Sequence, residues 1–108
     1  MLTNCTILRI DVPGVPAADG VATLVVGPAI AVEASWQDPK SGRKWILGAT
    51  VSDATAVLYV EGNLPVASES VATIRVDGES ADRSYLVLYA APQVGLSMTN
   101  TEIYLKNI

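Results

Sequence analysis

Apolar and polar residues alternate along much of this chain. Leu8, Ile10 and Val12 alternate with charged residues, and the same period of two recurs around residues 74–76 and 103–105. Successive side chains of a β-strand point to opposite faces, so this alternation predicts half-buried strands. No window of eleven residues carries the apolar stripe of an amphipathic helix. The pattern therefore predicts an all-β protein.

The strands are separated by short segments rich in glycine, proline and aspartate. Asp77-Gly78 predicts a hairpin with a type I′ turn, which needs positive φ at both central positions. Connections this short leave no room for repeated helical crossovers. We predict one all-β domain over residues 1–108, a small antiparallel β-barrel or a sandwich, with about seven or eight short strands and long loops. The predicted strands are 4–12, 21–26, 29–36, 43–51, 55–61, 71–77, 84–90 and 101–107.

The net charge and the low fraction of charged residues limit the kinds of partner that the chain can bind. The 108 residues include 7 Lys and Arg against 11 Asp and Glu, a net charge of −4, which excludes a broad basic surface for nucleic acid. Charged residues make up 17%, where about 25% is usual. We therefore expect part of the surface to contact protein.

Catalytic chemistry has few candidates in this sequence. The chain has one cysteine and no histidine, which excludes an internal disulfide, a Ser–His–Asp triad and a His-ligated metal within one chain. Cys5 is predicted to be a small buried residue, and Asp77, Glu79 and Asp82 to form a solvated turn. We predict no catalytic residue, no metal site, no cofactor and no membrane association.

One basic cluster stands out. Three of the seven positive charges, Lys40, Arg43 and Lys44, lie within five residues, and Trp36 and Trp45 flank them. Basic and aromatic residues together can pair and stack with nucleic acid. The alternatives are a solvated hairpin tip and a protein contact anchored by the tryptophans.

The order of segments along the chain resembles the small head-closure, or stopper, proteins of tailed bacteriophages, which belong to the head–tail connector. A strand precedes a Ser-Gly-Arg segment, a "V-D-G…Y-x-V" hairpin follows, and a strand ends the chain. Two departures are the lengthened hairpin at 79–83 and the absence of a histidine near the last strand. The segments that carry the resemblance are 1–9, 31–36, 40–49, 54–62, 71–78, 84–88 and 101–106.

The resemblance implies a structural protein and not an enzyme. Stoppers form a ring below the portal and adaptor, close the DNA channel after packaging and provide the surface to which the tail attaches. The expected partners are copies of the chain itself, adaptor or portal proteins above, tail terminator or tail proteins below, and packaged double-stranded DNA. The expected location is the neck of the virion, with the host cytoplasm during assembly. The alternatives are a tail terminator, or a β-sandwich binding module for virion-surface contact or adhesion.

Two groups of residues are the candidate sites within this interpretation. The first is a loop that faces the channel or an axial neighbour. The second is a pair of aromatic anchors for protein contacts. The loop residues are Lys40, Ser41, Arg43 and Lys44, and the anchors are Trp36 and Trp45.

Overall fold

A computed structural model describes residues 3–15, 20, 23–38, 54–94 and 99–108, and for 91–94 and 99 the backbone alone. This part of the chain contains strands and connecting loops but no helix, as predicted. No described helix is therefore long and apolar enough to cross a membrane. The strands are β1 (Cys5–Pro13), β2 (Leu24–Val25), β3 (Val32–Gln37), β4 (Ala56–Glu61), β5 (Val71–Val76), β6 (Arg83–Val94) and β7 (Thr99–Asn107).

Six of these strands close into an antiparallel barrel. The order around the wall is β1-β3-β4-β7-β6-β5, and β5 pairs with β1 to complete it. The seventh strand, β2, pairs only with the last two residues of β1 and lies outside the closed barrel. Closure decides between the two predicted architectures in favour of the barrel, and it removes the open edges that a sandwich keeps.

The barrel interior is filled by aliphatic side chains from all six wall strands. Ile7, Leu58, Ile74 and Leu105 have no exposed surface. In β5 and β7, inward residues alternate with outward ones, as the period of two predicts. Cys5 is 1% exposed and packs in the same core, which confirms the prediction that it is buried.

Two β-bulges interrupt the alternation. One follows Ile7 in β1 and the other follows Val87 in β6, and each shifts the register by one residue. A bulge bends its strand and increases the local twist, which helps a sheet curve into a barrel. After the first bulge the polar residue Asp11 is buried and the apolar residue Val12 is 42% exposed. The simple alternation predicted the reverse for both residues.

Several predicted boundaries and one predicted turn differ from the structure. Of the strand predicted at 21–26, residues 23–26 contain only β2 and residues 21–22 lie outside the described residues, as does the strand predicted at 43–51. The β5–β6 hairpin is confirmed, but its turn is not type I′. Gly78 has a φ of 86°, whereas Asp77 is not among the residues with positive φ. The Glu79 N–H donates to the Val76 carbonyl at 3.0 Å and closes the turn.

Candidate functional site

The antiparallel strands give the barrel two ends with different chemistry. One end gathers residues 3–4, 36–38, 77–83 and 106–108, and we call it the charged end. The other gathers residues 11–15, 23–31 and 62–70, and we call it the apolar end. The side chains exposed at each end determine what that end can bind.

Ion pairs organise the hairpin turn at the charged end. Arg75 Nη2 lies 2.7 Å from Asp82 Oδ1, and Arg83 Nη2 lies 2.7 Å from Glu79 Oε2. All four side chains are substantially exposed, so water and salt screen both pairs and each contributes little to folding. The turn is solvent-exposed as predicted, and two of its three acidic residues, Glu79 and Asp82, form ion pairs with arginines.

Arg83, at the start of β6, also covers Trp36, which lies on β3 across the end of the barrel. Its guanidinium carbon lies 5.1 Å from the centroid of the Trp36 ring, which is the distance of a cation–π contact. Arg83 Nη1 donates to the Tyr85 hydroxyl at 3.4 Å. Hydrogen bonding to Tyr85, and then to Glu79, raises the pKa of the guanidinium. The arginine therefore stays charged over the indole ring.

Trp36 is anchored through its backbone rather than projected into solvent. The Trp36 N–H donates to Asn4 Oδ1 at 2.6 Å, and Asn4 Nδ2 donates to the Trp36 carbonyl at 3.0 Å. The half-buried ring packs against the core, and its buried Nε1–H has no acceptor within the described part of the chain. Its role as an interface anchor stays a prediction. The other candidate residues, Lys40, Ser41, Arg43, Lys44 and Trp45, lie outside the described residues.

The apolar end exposes five aliphatic side chains on β1, β2 and the residues beside them. We call this set the apolar ribbon. No charged residue occurs between Thr23 and Val32. Exposed apolar patches of this kind mark contact sites for other proteins. The ribbon consists of Val12, Val15, Leu24, Val25 and Val26, with exposed fractions of 42, 92, 46, 54 and 69%.

Asp11 holds the apolar ribbon in place. Its Oδ1 accepts the Gly27 N–H at 2.8 Å and lies 3.0 Å from Arg9 Nε. Gly27 in turn lies so close to β1 that an added Cβ would be 2.0 Å from the Ile10 carbonyl oxygen. The buried carboxylate of Asp11 and the close contact of Gly27 with β1 therefore fix the position of the apolar ribbon, although the side chains of the ribbon are exposed. Neither role is visible in the sequence, where Asp11 is one polar residue of an alternating strand.

An open groove of about 500 Å³ adjoins the apolar ribbon at Val12. Thr101 holds one side of it, since its Oγ1 accepts the Leu64 N–H at 2.9 Å and donates to the Gly62 carbonyl at 2.8 Å. The groove has no charged lining residue, so it extends the apolar surface of this end. Its lining is Val12, Asn63, Leu64, Pro65, Val66, Ala67, Ala90 and Thr101.

The described residues offer little for metal binding or covalent chemistry. A second open groove, of about 750 Å³, contains Glu33 and Glu61 beside Thr3 and Thr6. Within the ranges that the structure describes, no group of three or more His, Cys, Asp or Glu side chains could hold a metal ion. Burial, with the charge of Asp77, raises the pKa of Cys5 to about 11, so its thiol is protonated and unreactive at neutral pH.

Comparison with known proteins adds no relative. No protein family, no curated protein and no solved structure matches this chain significantly. The argument for function therefore rests on the sequence and on the geometry of the two ends.

Proposed function

We propose that this chain is a structural protein of the head–tail connector of a tailed bacteriophage, of the stopper type. In this role it forms a ring below the portal and adaptor, closes the DNA channel and presents the tail attachment surface. The observation that carries the proposal is a small closed β-barrel with one apolar end and one charged end. The order of sequence segments described above supports the same assignment.

A protomer in a stacked column has different neighbours above and below, so its two axial surfaces need different chemistry. The apolar ribbon suits a protein contact that excludes water, because it exposes five aliphatic side chains. The ion-paired turn at the charged end suits a contact that forms and releases, since exposed ion pairs are weak and screened by salt.

The charge balance fits a channel through which DNA passes. A net charge of −4 repels phosphates and prevents DNA from adhering to the wall. The cluster of Lys40, Arg43 and Lys44 would supply a local contact to the DNA end or to an acidic partner. In this proposal the protein acts without a cofactor and works in the neck of the virion, after assembly in the host cytoplasm.

The alternatives are a tail terminator and a binding module on the virion surface. The second alternative assumed a β-sandwich, whereas the structure is a closed barrel. The exposed apolar ribbon also fits a binding module, because such a module needs one contact surface and no ring. A tail terminator would share the ring but join the tail before it meets the head.

The experiment uses purified protein with the portal–adaptor complex encoded beside it, observed by native mass spectrometry and electron microscopy. We expect the wild type to join as a ring below the adaptor. Val26→Asp, in the apolar ribbon, should fail to join, while Ile108→Asp, exposed at the charged end, serves as the matched control. A folded wild-type protein that ignores this complex but binds purified tails would identify a terminator. One that ignores both would contradict a connector role.

A further inference from the structure

The outer edge of β2 pairs with no other strand among the described residues. The Gly14 N–H donates to the Thr23 carbonyl at 2.9 Å, so the backbone groups of Thr23 point towards β1. Backbone groups alternate sides along a strand. Those of Val25 therefore also face β1, and those of Leu24 and Val26 face away. In the described part of the chain, β2 has no neighbour on that side.

We propose that this edge pairs with β2 of a second copy of the chain in a two-fold symmetric, antiparallel contact centred on Val25. That symmetry places Leu24 opposite Val26 of the second copy, and Val26 opposite Leu24. Each of these residues directs one N–H and one C=O at the other, so the contact closes with four hydrogen bonds. The edge is thus complementary to itself, as a two-fold interface must be.

Charge supports a second copy as the occupant of this edge. A two-fold contact brings each residue near the axis next to its own copy, where any charge would meet a like charge. The segment from Thr23 to Val32 contains no charged residue. Natural edge strands are usually protected by lysine, proline or a bulge, and β2 has none of these. Its exposed Leu24 and Val25 instead gain from mutual burial.

The rigid support of the apolar ribbon lowers the cost of pairing. Asp11 and Gly27 hold β2 before a partner arrives, so little chain ordering accompanies association. The contact is small, below roughly 1,000 Å², so the dimer dissociates on dilution. A single two-fold contact does not close a ring. This dimer of the free protein is therefore additional to the proposed function, and because it buries part of the apolar ribbon it must dissociate before the ribbon contacts the connector.

Cysteines placed at two adjacent positions test the register. In the proposed pairing Val25 faces its own copy in a non-hydrogen-bonded pair, with Cα atoms about 4.5 Å apart, within disulfide range. Val26 lies two residues out of register with its own copy, beyond the ~7 Å that a disulfide spans. Under a mild oxidant, Val25→Cys should form covalent dimers at least roughly tenfold faster than Val26→Cys. The buried Cys5 does not compete. Equal rates for the two variants would overturn the proposed register.

Sedimentation equilibrium tests the dimer itself. Wild-type protein should pass from the 11.3 kDa monomer to a dimer as concentration rises. Val25→Asp should stay monomeric because two carboxylates meet at the axis, while Ile108→Asp should match the wild type. Both positions are more than half exposed, and circular dichroism checks that both variants fold. A wild type that remains monomeric up to about 1 mM would refute the dimer. That result would leave the ring of the proposed function untouched, because it is measured with portal and adaptor present.

Discussion

The two ends of the barrel are held together in opposite ways. At the charged end, four exposed side chains form two ion pairs that water can replace at little cost. At the apolar end, the buried carboxylate of Asp11 fixes the backbone, and the aliphatic side chains are exposed. At the charged end, water can take the place of the ion pairs, so substitutions there should cost little stability. At the apolar end, the backbone contacts of Asp11 and Gly27 have no such substitute, so the exposed surface keeps a fixed shape, as a binding surface must.

Two glycines, one at each end, should give the largest contrast. Gly27→Ala places a Cβ 2.0 Å from a backbone oxygen that cannot move without displacing β1. We expect it to lower the free energy of unfolding by roughly 3 kcal/mol. Gly78→Ala meets open space and loses only the preference of glycine for positive φ, about 1 kcal/mol. Urea unfolding measures the stability of both variants. Equal losses of unfolding free energy would show that the backbone can move apart where Gly27 lies against β1.

Two aspartates extend the same comparison. Asp11→Ala leaves the Gly27 N–H and the Arg9 guanidinium without their acceptor and should cost about 2 kcal/mol. Asp82→Ala removes an exposed ion pair with Arg75 and should cost less than about 0.5 kcal/mol. Thermal unfolding at fixed salt distinguishes them. Equal losses of stability for the two variants would contradict the view that the ion pairs at the charged end are dispensable.

Cys5 gives a pH test beneath the charged end. Its pKa is 9.0 in the unfolded chain and about 11 in the fold, so above pH 9 the unfolded state loses its proton first. Stability should be constant with respect to this group below pH 9 and fall between pH 9 and 11, by about 1.4 kcal/mol at pH 10. The difference between wild type and Cys5→Ala isolates this effect from other groups. Parallel pH profiles for the two proteins would contradict the burial of the thiol.

Arg83 should show the smallest effect. Arg83→Lys retains the charge but loses the planar stacking on Trp36 and the paired contact to Glu79, so we expect only a slight loss of stability. Indole fluorescence at the two tryptophans, followed through unfolding, reports both the ring environment and the midpoint. Lys106→Arg, an exposed cation on β7, is the control for changing one cation to the other. An unchanged spectrum together with an unchanged midpoint would mean that Arg83 does not stack on the ring.

The sequence predicts the strands well where burial follows a simple alternation. Residues 71–77 and 101–107 were predicted and lie within one or two residues of β5 and β7. The prediction is poorest at the end of β1, where Asp11 is buried and accepts the Gly27 N–H while Val12 is exposed. The burial of Asp11 depends on a segment sixteen residues further along the chain, which the pattern of one strand does not reveal.

The candidate site was likewise predicted only in part from the sequence. The charge shortage predicted a protein-contact surface without locating it, and the structure locates exposed aliphatic side chains around β2. The sequence directed attention to Trp36 by its basic neighbours at 40–44, whereas the described contacts pair it with Arg83, which is distant along the chain. Spatial neighbours of this kind arise from strand pairing, so local reading does not find them.

The sequence by itself determined the all-β class, the burial of Cys5 and the absence of histidine chemistry, because these follow from local periodicity, hydrophobicity and residue type. Only the tertiary structure decided that the sheet closes, that Asp11 holds Gly27, and that one end is apolar while the other is charged. These properties depend on which distant strands pair and in what register. That choice is made by the packing of the whole core, in which β1 pairs with β5 at positions sixty or more residues apart in the chain.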